Sequence, residues 1–333
     1  MERPEQRRDA ASECPGVSPG TSVIIPCHNV SQEIGLQLEA LARQKGARPF
    51  EVLLVDNRST DDLTAAAEPW RDRLDIRVLP APSHTGASYA RNVGIGAARG
   101  SKLLFCDGDD LVGEHFVALG QRALDDVPLY CTGFVAVNER VFAEGREAVR
   151  AAVPEETEYR RPTAERQDPR WPILPGCCFG ARAELLAELG GFDRSLEPGA
   201  EDNDLGLRAL DAGLLPPILD STTLAYRIRD VGRRPLSLYR RRAVSISLLL
   251  TRRDAWRTSG AISGHPYAVL LRSLLAVWRV LARPGATTRG EWLMRVVTAL
   301  GFCEGWTRYR LLRRRVPSEL GIGLDEGRRL RRR

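Results

Sequence analysis

Short apolar runs alternate with amphipathic segments along the first 125 residues of the chain. The runs are rich in aliphatic residues and predict buried strands over 22–26, 51–55, 75–79 and 103–106. Between them, apolar residues recur every three or four positions and predict helices over 31–43, 61–70 and 86–98, with Ser31 capping the first. This alternation is typical of an α/β protein with an open, mostly parallel sheet flanked by helices.

The pattern is less regular in the rest of the chain. Strands are predicted over 129–137 and 176–180, and helices over 183–189 and 201–212. The charged stretch 138–171, which prolines interrupt, predicts a surface loop or short helix that covers a site. We therefore expect three parts: a flexible N-terminal tail over 1–20, an α/β domain over 21–230, and a basic, mostly helical C-terminal region over 231–333.

Charge is distributed unevenly along the 333 residues, whose net charge is +6. From Arg227 to the C-terminus there are 25 arginines and 7 acidic residues, so this part carries +18 and the rest of the chain −12. An acidic body with a basic tail predicts attraction to an anionic surface. No nucleic-acid-binding motif accompanies the arginines, so nucleic acid is not expected as a partner.

Leucine and tryptophan recur at helical spacing over 268–283, and 292–300 repeats the pattern. Two structures fit these segments: amphipathic helices that pack on the main domain, or a basic anchor that lies on an anionic membrane. No run approaches the roughly 18 apolar residues of a spanning helix, and the N-terminus lacks the apolar centre of a signal peptide. A cytoplasmic protein is expected, peripheral at the inner face of the membrane in the second case.

The cysteines and carboxylates are the residues with distinctive chemistry. The seven scattered cysteines include no CxxC pair, so reduced, buried thiols are expected rather than a zinc site. Carboxylates and polar residues cluster at the ends of predicted strands and at the start of one helix. The four clusters are Pro26-Cys27-His28-Asn29, the stretch from Asp56 to Asp62, Asp107-Gly108-Asp109-Asp110, and Glu201-Asp202-Asn203-Asp204.

The third cluster has two interpretations when taken alone. Three carboxylates after a buried strand form either an acidic turn or a metal site, because Mg²⁺ and Mn²⁺ bind carboxylate oxygens and Mg²⁺ bridges to phosphates. Ligands of open α/β sheets lie at the carboxyl ends of the strands. The convergence of four clusters on one sheet edge favours a metal–phosphate site.

In order and spacing these clusters resemble the family-2 glycosyltransferases, which have the GT-A fold. The resemblance covers roughly residues 21–229. Its motifs are VIIPCHN at 23–29, LVDNRSTDD at 54–62, GASYARNVG at 86–94, LFCDGDD at 104–110, GGFD at 190–193 and EDNDLGLR at 201–208. It implies a bacterial inverting enzyme of polysaccharide biosynthesis that uses a nucleotide-diphosphate sugar, with a UDP-sugar as first choice. The acceptor would be a cell-envelope glycan, a lipid-linked sugar or a natural product.

The resemblance also implies roles for individual residues. Asp107 and Asp109 would hold Mn²⁺ or Mg²⁺ against the donor's diphosphate, and Asp202 would be the catalytic base. The nucleotide sugar would contact Pro26, Cys27, His28, Asn29, Asp56, Asn57, Arg91 and Gly108 together with the two metal ligands. The candidates for the acceptor side are Trp171, Gly176 and Glu201. The segment 138–171 and the tail are expected to recognise the acceptor.

Three of these residues keep a second interpretation. Arg91 either approaches the nucleotide or pairs with a nearby aspartate. Asp110 caps the following helix or joins the metal site, and Asp202 caps its own helix or acts as the base.

Many relatives carry a His in the strand that follows the helix predicted over 201–212, and this His completes the coordination of the metal. Here the segment from Leu224 to Arg229 reads LAYRIR and has none. We expect one of two arrangements. Either carboxylates, phosphates and water hold the metal and activity depends only weakly on it, or Arg227 or Arg229 holds the diphosphate.

Two other functions remain alternatives. A sugar-phosphate nucleotidyltransferase would have a glycine-rich, basic loop after the first strand, where this chain has Cys27-His28-Asn29-Val30. A catalytically inactive GT-A-fold binding module would not need the full set of carboxylates that this chain retains.

Overall fold

Eight strands form one continuous sheet in the computed structural model, which describes residues 19–153, 158–229, 235–282 and 286–332. The strands are β1 (Thr21–Cys27), β2 (Phe50–Asp56), β3 (Asp75–Pro80), β4 (Lys102–Phe105), β5 (Leu111–Val112), β6 (Leu129–Asn138), β7 (Phe179–Arg182) and β8 (Ile218–Ile228). Their order across the sheet is β3-β2-β1-β4-β7-β6-β8-β5. The predicted N-terminal tail lies almost wholly outside the described residues.

Thirteen helices are described around the sheet. They are α1 (Ile34–Ala42), α2 (Leu63–Ala67), α3 (Ala87–Ala97), α4 (Phe116–Asp126), α5 (Glu139–Ala143), α6 (Arg146–Ala151), α7 (Ala183–Glu188), α8 (Glu201–Asp211), α9 (Leu236–Arg252), α10 (Pro266–Leu275), α11 (Val277–Ala282), α12 (Ala286–Gly305) and α13 (Leu324–Arg331). Short 3₁₀ turns occupy Glu68–Trp70 and Arg194–Leu196, and a π-helical turn follows α12 at Trp306–Leu311.

Side-chain alternation along the central strands gives the sheet two buried faces. Val23 and Ile25 of β1 join a core with α1, whereas Ile24 faces the opposite core with α3. Both faces are covered, which explains why these strands read as continuous apolar runs.

The parallel strands β3, β2, β1 and β4 bring their carboxyl ends to one edge. The ends of β1 and β4 therefore place Pro26 and Asp107 side by side. Next to β4, β7 runs antiparallel and brings the preceding turn, which includes Gly176, to the same edge. The sheet thus gathers segments that are far apart in the sequence.

The predicted elements of the first half are confirmed to within a few residues. Ser31 is not a cap, because Glu33 holds the N-cap position of α1 and the Ser31 N–H donates to Asp61 Oδ2. The helix predicted over 61–70 divides into α2 and the 3₁₀ turn that contains Pro69. β7 begins at Phe179 because the Cys178 N–H closes a turn on Pro175 O. The six cysteines within the described residues are free and buried, as predicted.

The C-terminal helices pack partly on one another and partly on the sheet domain. α9 and α12 form a pair, and α13 returns to pack on α3. This last contact is very close, since a Cβ at Gly327 would lie 2.1 Å from Val93 O and 2.9 Å from Gly96 Cα. Glu326 of α13 accepts hydrogen bonds from the hydroxyls of Tyr89 and Ser83. The end of the chain therefore supports the helix that borders the sheet edge.

The close packing of α13 on α3 can be tested with one methyl group. We expect Gly327→Ala to lower the free energy of unfolding by about 1–3 kcal/mol, because the added Cβ overlaps the α3 backbone. Gly35→Ala is the matched control: Gly35 is also helical and a Cβ there meets nothing within 4 Å. It should leave stability unchanged or raise it by about 0.5–1 kcal/mol. Equal urea midpoints for the two variants would contradict the packing.

Candidate active site

An open cavity of about 1000 Å³ lies at the carboxyl ends of β1 and β4. Its wall draws on the turn after β1, the turn after β4, the start of α3, the turn before β7, the start of α8, and α9. Ten residues expected at the site from the sequence line it: Pro26, His28, Asn29, Arg91, Asp107, Gly108, Asp109, Gly176, Glu201 and Asp202. The structure therefore brings most of the predicted site together.

Arg91 of α3 occupies the centre of this cavity wall. The residue is 5% exposed, and its Nη2 donates to Asp107 Oδ1 at 3.1 Å. Burial acts to lower the pKa of Arg91, but Asp107, Glu201, Asp202 and Glu197 together outweigh it and raise the pKa. The ion pair with an aspartate, one of the two sequence interpretations, is present, and the same guanidinium also borders the cavity.

Asp107 and Asp109 form the acidic rim of the cavity. Each side chain is about a third exposed, at 31% and 30%. Burial and the neighbouring Asp107 charge raise the pKa of Asp109, so the two carboxylates form an electrostatically unfavourable pair that a divalent cation would relieve. Hard oxygen donors at an accessible rim suit Mg²⁺ or Mn²⁺.

The carboxylate pair does not by itself form a complete metal cage. Within the described ranges, no group of three or more His, Cys, Asp or Glu side chains is placed to hold a metal ion. A cation held by Asp107 and Asp109 would therefore take its other ligands from phosphate and water, which is the usual arrangement for Mg²⁺.

Asp110 is the buried carboxylate of the same turn. Its Oδ1 accepts the Arg227 N–H at 2.9 Å, so it joins β8 and does not cap α4. Its Oδ2 is buried and has no partner among the described residues. Burial together with the charges of Asp107 and Asp109 raises the pKa of Asp110 to about 9. In the absence of a cation this side chain is therefore protonated at neutral pH.

Asp202 and Glu201 begin α8 at the opposite side of the cavity. Glu201 Oε2 accepts the N–H groups of Gly199 and Ala200, at 2.5 and 2.9 Å, so this carboxylate is tied to its own turn. Asp202 Oδ1 accepts the Asn203 N–H and its Oδ2 accepts the Gly176 N–H at 3.3 Å. Burial raises the pKa of Asp202, although these N–H groups and Arg91 oppose the shift. Burial and the charge of Asp202 raise the pKa of Glu201 to about 7.

The residues after β1 and β2 form the neighbouring wall. His28 Nδ1 lies 2.9 Å from Asn57 O, and Asn29 Oδ1 accepts the Thr60 N–H at 2.7 Å. Asp56 Oδ1 accepts the Ser59 N–H, and the residue is half-buried outside the cavity lining. The two loops are thus joined into one surface with His28 and Asn29 facing the cavity.

Besides Asp56, three expected site residues lie outside the cavity lining. Cys27 is 1% exposed, since alternation along β1 directs its side chain into the core. The Asn57 side chain is also buried, where it donates to Ala81 O and His84 O and accepts the Gly86 N–H. Trp171 packs against Leu248 and its neighbours instead.

Within 138–153 and 158–171, the described parts of the segment expected to cover the site, no residue lines the cavity. Phe134 and the turn Pro175–Cys177 line that side, while helices α5 and α6 lie elsewhere on the surface.

The two arginines considered in place of a histidine have different positions. Arg229 lines the cavity, and its Nη2 lies 3.3 Å from Asp109 Oδ2. Arg227 instead stacks over the ring of Phe142 at 4.2 Å. Of these two arginines, Arg229 is therefore the one placed to meet an anionic ligand in this cavity.

Sequence reasoning missed several residues of the cavity. Glu197 lies between two motifs, and its carboxylate accepts the Ser88 N–H at the start of α3. Arg242 and Ile246 come from α9, far beyond the recognisable motifs. The only advance signal for Arg242 was the general excess of arginine in that region.

Comparison with known proteins identifies the family. A sequence model described as glycosyl transferase family 2 matches residues 22–190, about half of the chain. The chain belongs to glycosyl transferase family 2. The expected GT-A fold is also confirmed: the mannosyltransferase PcManGT of Pyrobaculum calidifontis, solved with GDP-Man and Mn²⁺, has a TM-score of 0.55 and 20% identity, covering 87% of this chain and 88% of that one.

Curated glycosyltransferases match a shorter part of the chain. The poly(ribitol-phosphate) beta-N-acetylglucosaminyltransferase TarS of Staphylococcus aureus is 35% identical over 107 residues, which span 32% of this chain and 19% of TarS. The glycosyltransferase AglE of Haloferax volcanii is 37% identical over 93 residues, 27% of this chain and 31% of AglE. The chain thus matches less than a third of the length of each of these relatives.

The buried carboxyl of Asp110 leads to a prediction about how the stability of the fold depends on pH. The folded protein keeps the group protonated to about pH 9, whereas the unfolded chain ionises it near 3.8. The stability due to the protonated form is therefore complete at low pH and is lost as pH rises through the folded pKa.

We expect Asp110→Asn, which does not ionise, to lose less stability than the parent protein between about pH 5 and pH 9. The measurement is urea unfolding with a chelator present. Asp211→Asn at the surface should follow the parent's pH profile. Parallel profiles for all three proteins would contradict a protonated Asp110.

Proposed function

We propose that this family-2 protein is an inverting glycosyltransferase that moves a sugar from a nucleoside-diphosphate sugar to an acceptor hydroxyl. The observation that carries the proposal is the single cavity around Arg91, where Asp107 and Asp109 from the sheet edge face Asp202 from α8. Such a transfer needs charge stabilisation on the leaving diphosphate and a base for the acceptor, and the cavity offers groups for both.

Donor binding is assigned to the sheet edge. His28, Asn29 and Gly108 would border the nucleotide, and Arg229 would contact its phosphates. Asp107 and Asp109 would hold Mn²⁺ or Mg²⁺, which when bound neutralises charge on the leaving diphosphate. A UDP-sugar is the first choice of donor. Asp56 belongs to the same proposal through the loop that its carboxylate orders.

The proton transfer is assigned to Asp202. Its carboxylate is held by the N–H groups of Gly176 and Asn203, so the orientation is fixed before the acceptor arrives. Burial raises its pKa, which makes it a better base than an exposed aspartate. Inversion follows from direct attack opposite the leaving group, without a covalent enzyme intermediate. Glu201 is tied to its own turn and is less available.

The acceptor side is assigned to the part of the cavity nearest α8 and α9. Gly176 and Glu201 border it, and Arg242 and Ile246 complete it from the C-terminal region. The boundary proposed at residue 230 thus separates a GT-A domain from helices that contribute to its site. A cell-envelope glycan or a lipid-linked sugar is the proposed acceptor, and the proposed location is the cytoplasmic face of the membrane.

The base assignment predicts a specific loss of turnover. We expect Asp202→Asn to lower kcat by about 10²–10⁴-fold, because the acceptor hydroxyl loses its proton acceptor. Donor binding, measured as the rise in unfolding temperature with UDP, should remain. Asp211→Asn on the same helix, paired with Arg253 at the surface, is the control and should keep normal turnover.

Sugar release from UDP-GlcNAc and other UDP-sugars, without an added acceptor, provides a general assay. Full activity of Asp202→Asn in this assay would contradict the base assignment. If the parent protein released no sugar from any donor, a binding module would be favoured instead. The anomeric configuration of the released sugar, followed by NMR, tests inversion.

The metal assignment predicts a cooperative effect on stability. UDP together with Mn²⁺ should raise the unfolding temperature more than the sum of each alone, because a metal held by both the carboxylates and the diphosphate makes each ligand bind the folded state more tightly. We expect Asp109→Asn to remove the cooperative part, whereas Asp75→Asn, a half-exposed partner of Arg99, should keep it. If UDP stabilises the parent protein equally in Mn²⁺ and in chelator, Arg229 and Arg91 bind the diphosphate without a metal.

A further inference from the structure

Helices α10 and α11 carry an apolar surface that is largely exposed to solvent. Four of its side chains are mostly exposed: Leu271 at 58%, Trp278 at 60%, Leu275 at 63% and Leu281 at 75%. Leu274 and Val277 on the same helices are also exposed, whereas Tyr267 packs edge-on against Trp306 and its hydroxyl lies 2.6 Å from Thr307 Oγ1. We refer to the exposed set Leu271, Leu274, Leu275, Val277, Trp278 and Leu281 as the α10–α11 face. Clustered exposed apolar residues of this kind mark an interaction surface.

Helix α12 has a similar sequence pattern and a different environment. Its Val296, Ala299 and Phe302 are buried, and the helix packs on α9. α10 is fixed against α12, where Trp292 Nε1 donates to Ser273 O at 2.8 Å. The inner side of α10 is thus occupied, and the α10–α11 face is the outer side of an ordered layer.

The charge around this face is mostly positive. Residues 255–295 include six arginines and one acidic residue, Glu291. Arg272 and Arg289 are exposed in this stretch, and Arg295 is exposed on α12. Leucine and tryptophan enter the acyl boundary of a bilayer, while arginines meet anionic headgroups. A second copy of the chain would instead bring two arginine-rich surfaces together, which is unfavourable.

We propose that the α10–α11 face docks on an anionic lipid bilayer, with the two helices lying in the interface plane. No helix in the described part of the chain is long and apolar enough to cross a membrane, so docking is peripheral. This inference rests on the proposed function in one respect, since docking would bring the enzyme to an acceptor that lies at the membrane. Because α9 packs against α12 and also lines the active-site cavity, the docked layer is connected to the site.

The test is co-sedimentation of the full chain with vesicles of phosphatidylcholine, with and without phosphatidylglycerol. We expect binding to the anionic vesicles that weakens with added salt. The double variant Leu275→Glu/Leu281→Glu should bind at least about tenfold more weakly, since it removes apolar contact and adds negative charge. Ile173→Glu is the matched control, because Ile173 is 59% exposed but lies outside this face; it should bind like the parent protein.

Two further measurements keep the outcome decisive. The thermal shift with UDP shows that the double variant is folded, and sedimentation velocity gives the oligomeric state. The proposal is overturned if the parent protein ignores anionic vesicles or if the double variant binds as well as the parent. It is also overturned if the parent is a dimer that the double variant dissociates. Sugar release from a UDP-sugar in solution reports separately on the proposed function.

Discussion

Four carboxylates from three parts of the chain, Asp107, Glu197, Glu201 and Asp202, act electrostatically on the buried guanidinium of Arg91. Two like charges about 4 Å apart repel by about 4 kcal/mol near a protein surface, so a cation among these carboxylates stabilises their arrangement. Arg91 supplies a charge that stays protonated at any physiological pH. It joins the sheet edge to α8 and leaves Asp202 and the acidic rim facing one cavity.

The position of Arg91 depends in turn on how closely α3 is packed. On the sheet side, a Cβ at Gly94 would lie 2.5 Å from Ile24 Cγ2, and on the outer side Gly327 of α13 approaches the α3 backbone. The helix is therefore fixed between β1 and the end of the chain. Glu326, which contacts Tyr89 of α3, adds a polar link to this packing. A C-terminal segment without recognisable motifs thus helps to place the central charge of the site.

The sequence predicted the parts of the molecule that depend on local patterns. The apolar run of β4 followed by Asp107 and Asp109 located the acidic rim, because strand period and turn chemistry are local properties. Glu197 and Arg242 were missed because their places in the cavity depend on long-range packing of the α8 and α9 regions. The same limit explains why Cys27 and Trp171 lie outside the cavity lining, because a residue's place in the sequence does not reveal which way its side chain points.

Helices α10 and α12 show why periodicity leaves function open. Both repeat apolar residues at helical spacing, yet α12 packs on α9 and buries Val296, Ala299 and Phe302, while α10 presents Leu271, Leu274 and Leu275 outward. A hydrophobic stripe indicates that a helix needs an apolar partner. Whether that partner belongs to the same chain depends on the tertiary structure. α9 connects this region to the site, because it packs on α12 and also contributes Arg242 to the cavity. The basic region therefore contributes to the cavity wall and also carries the surface that we propose for an anionic partner.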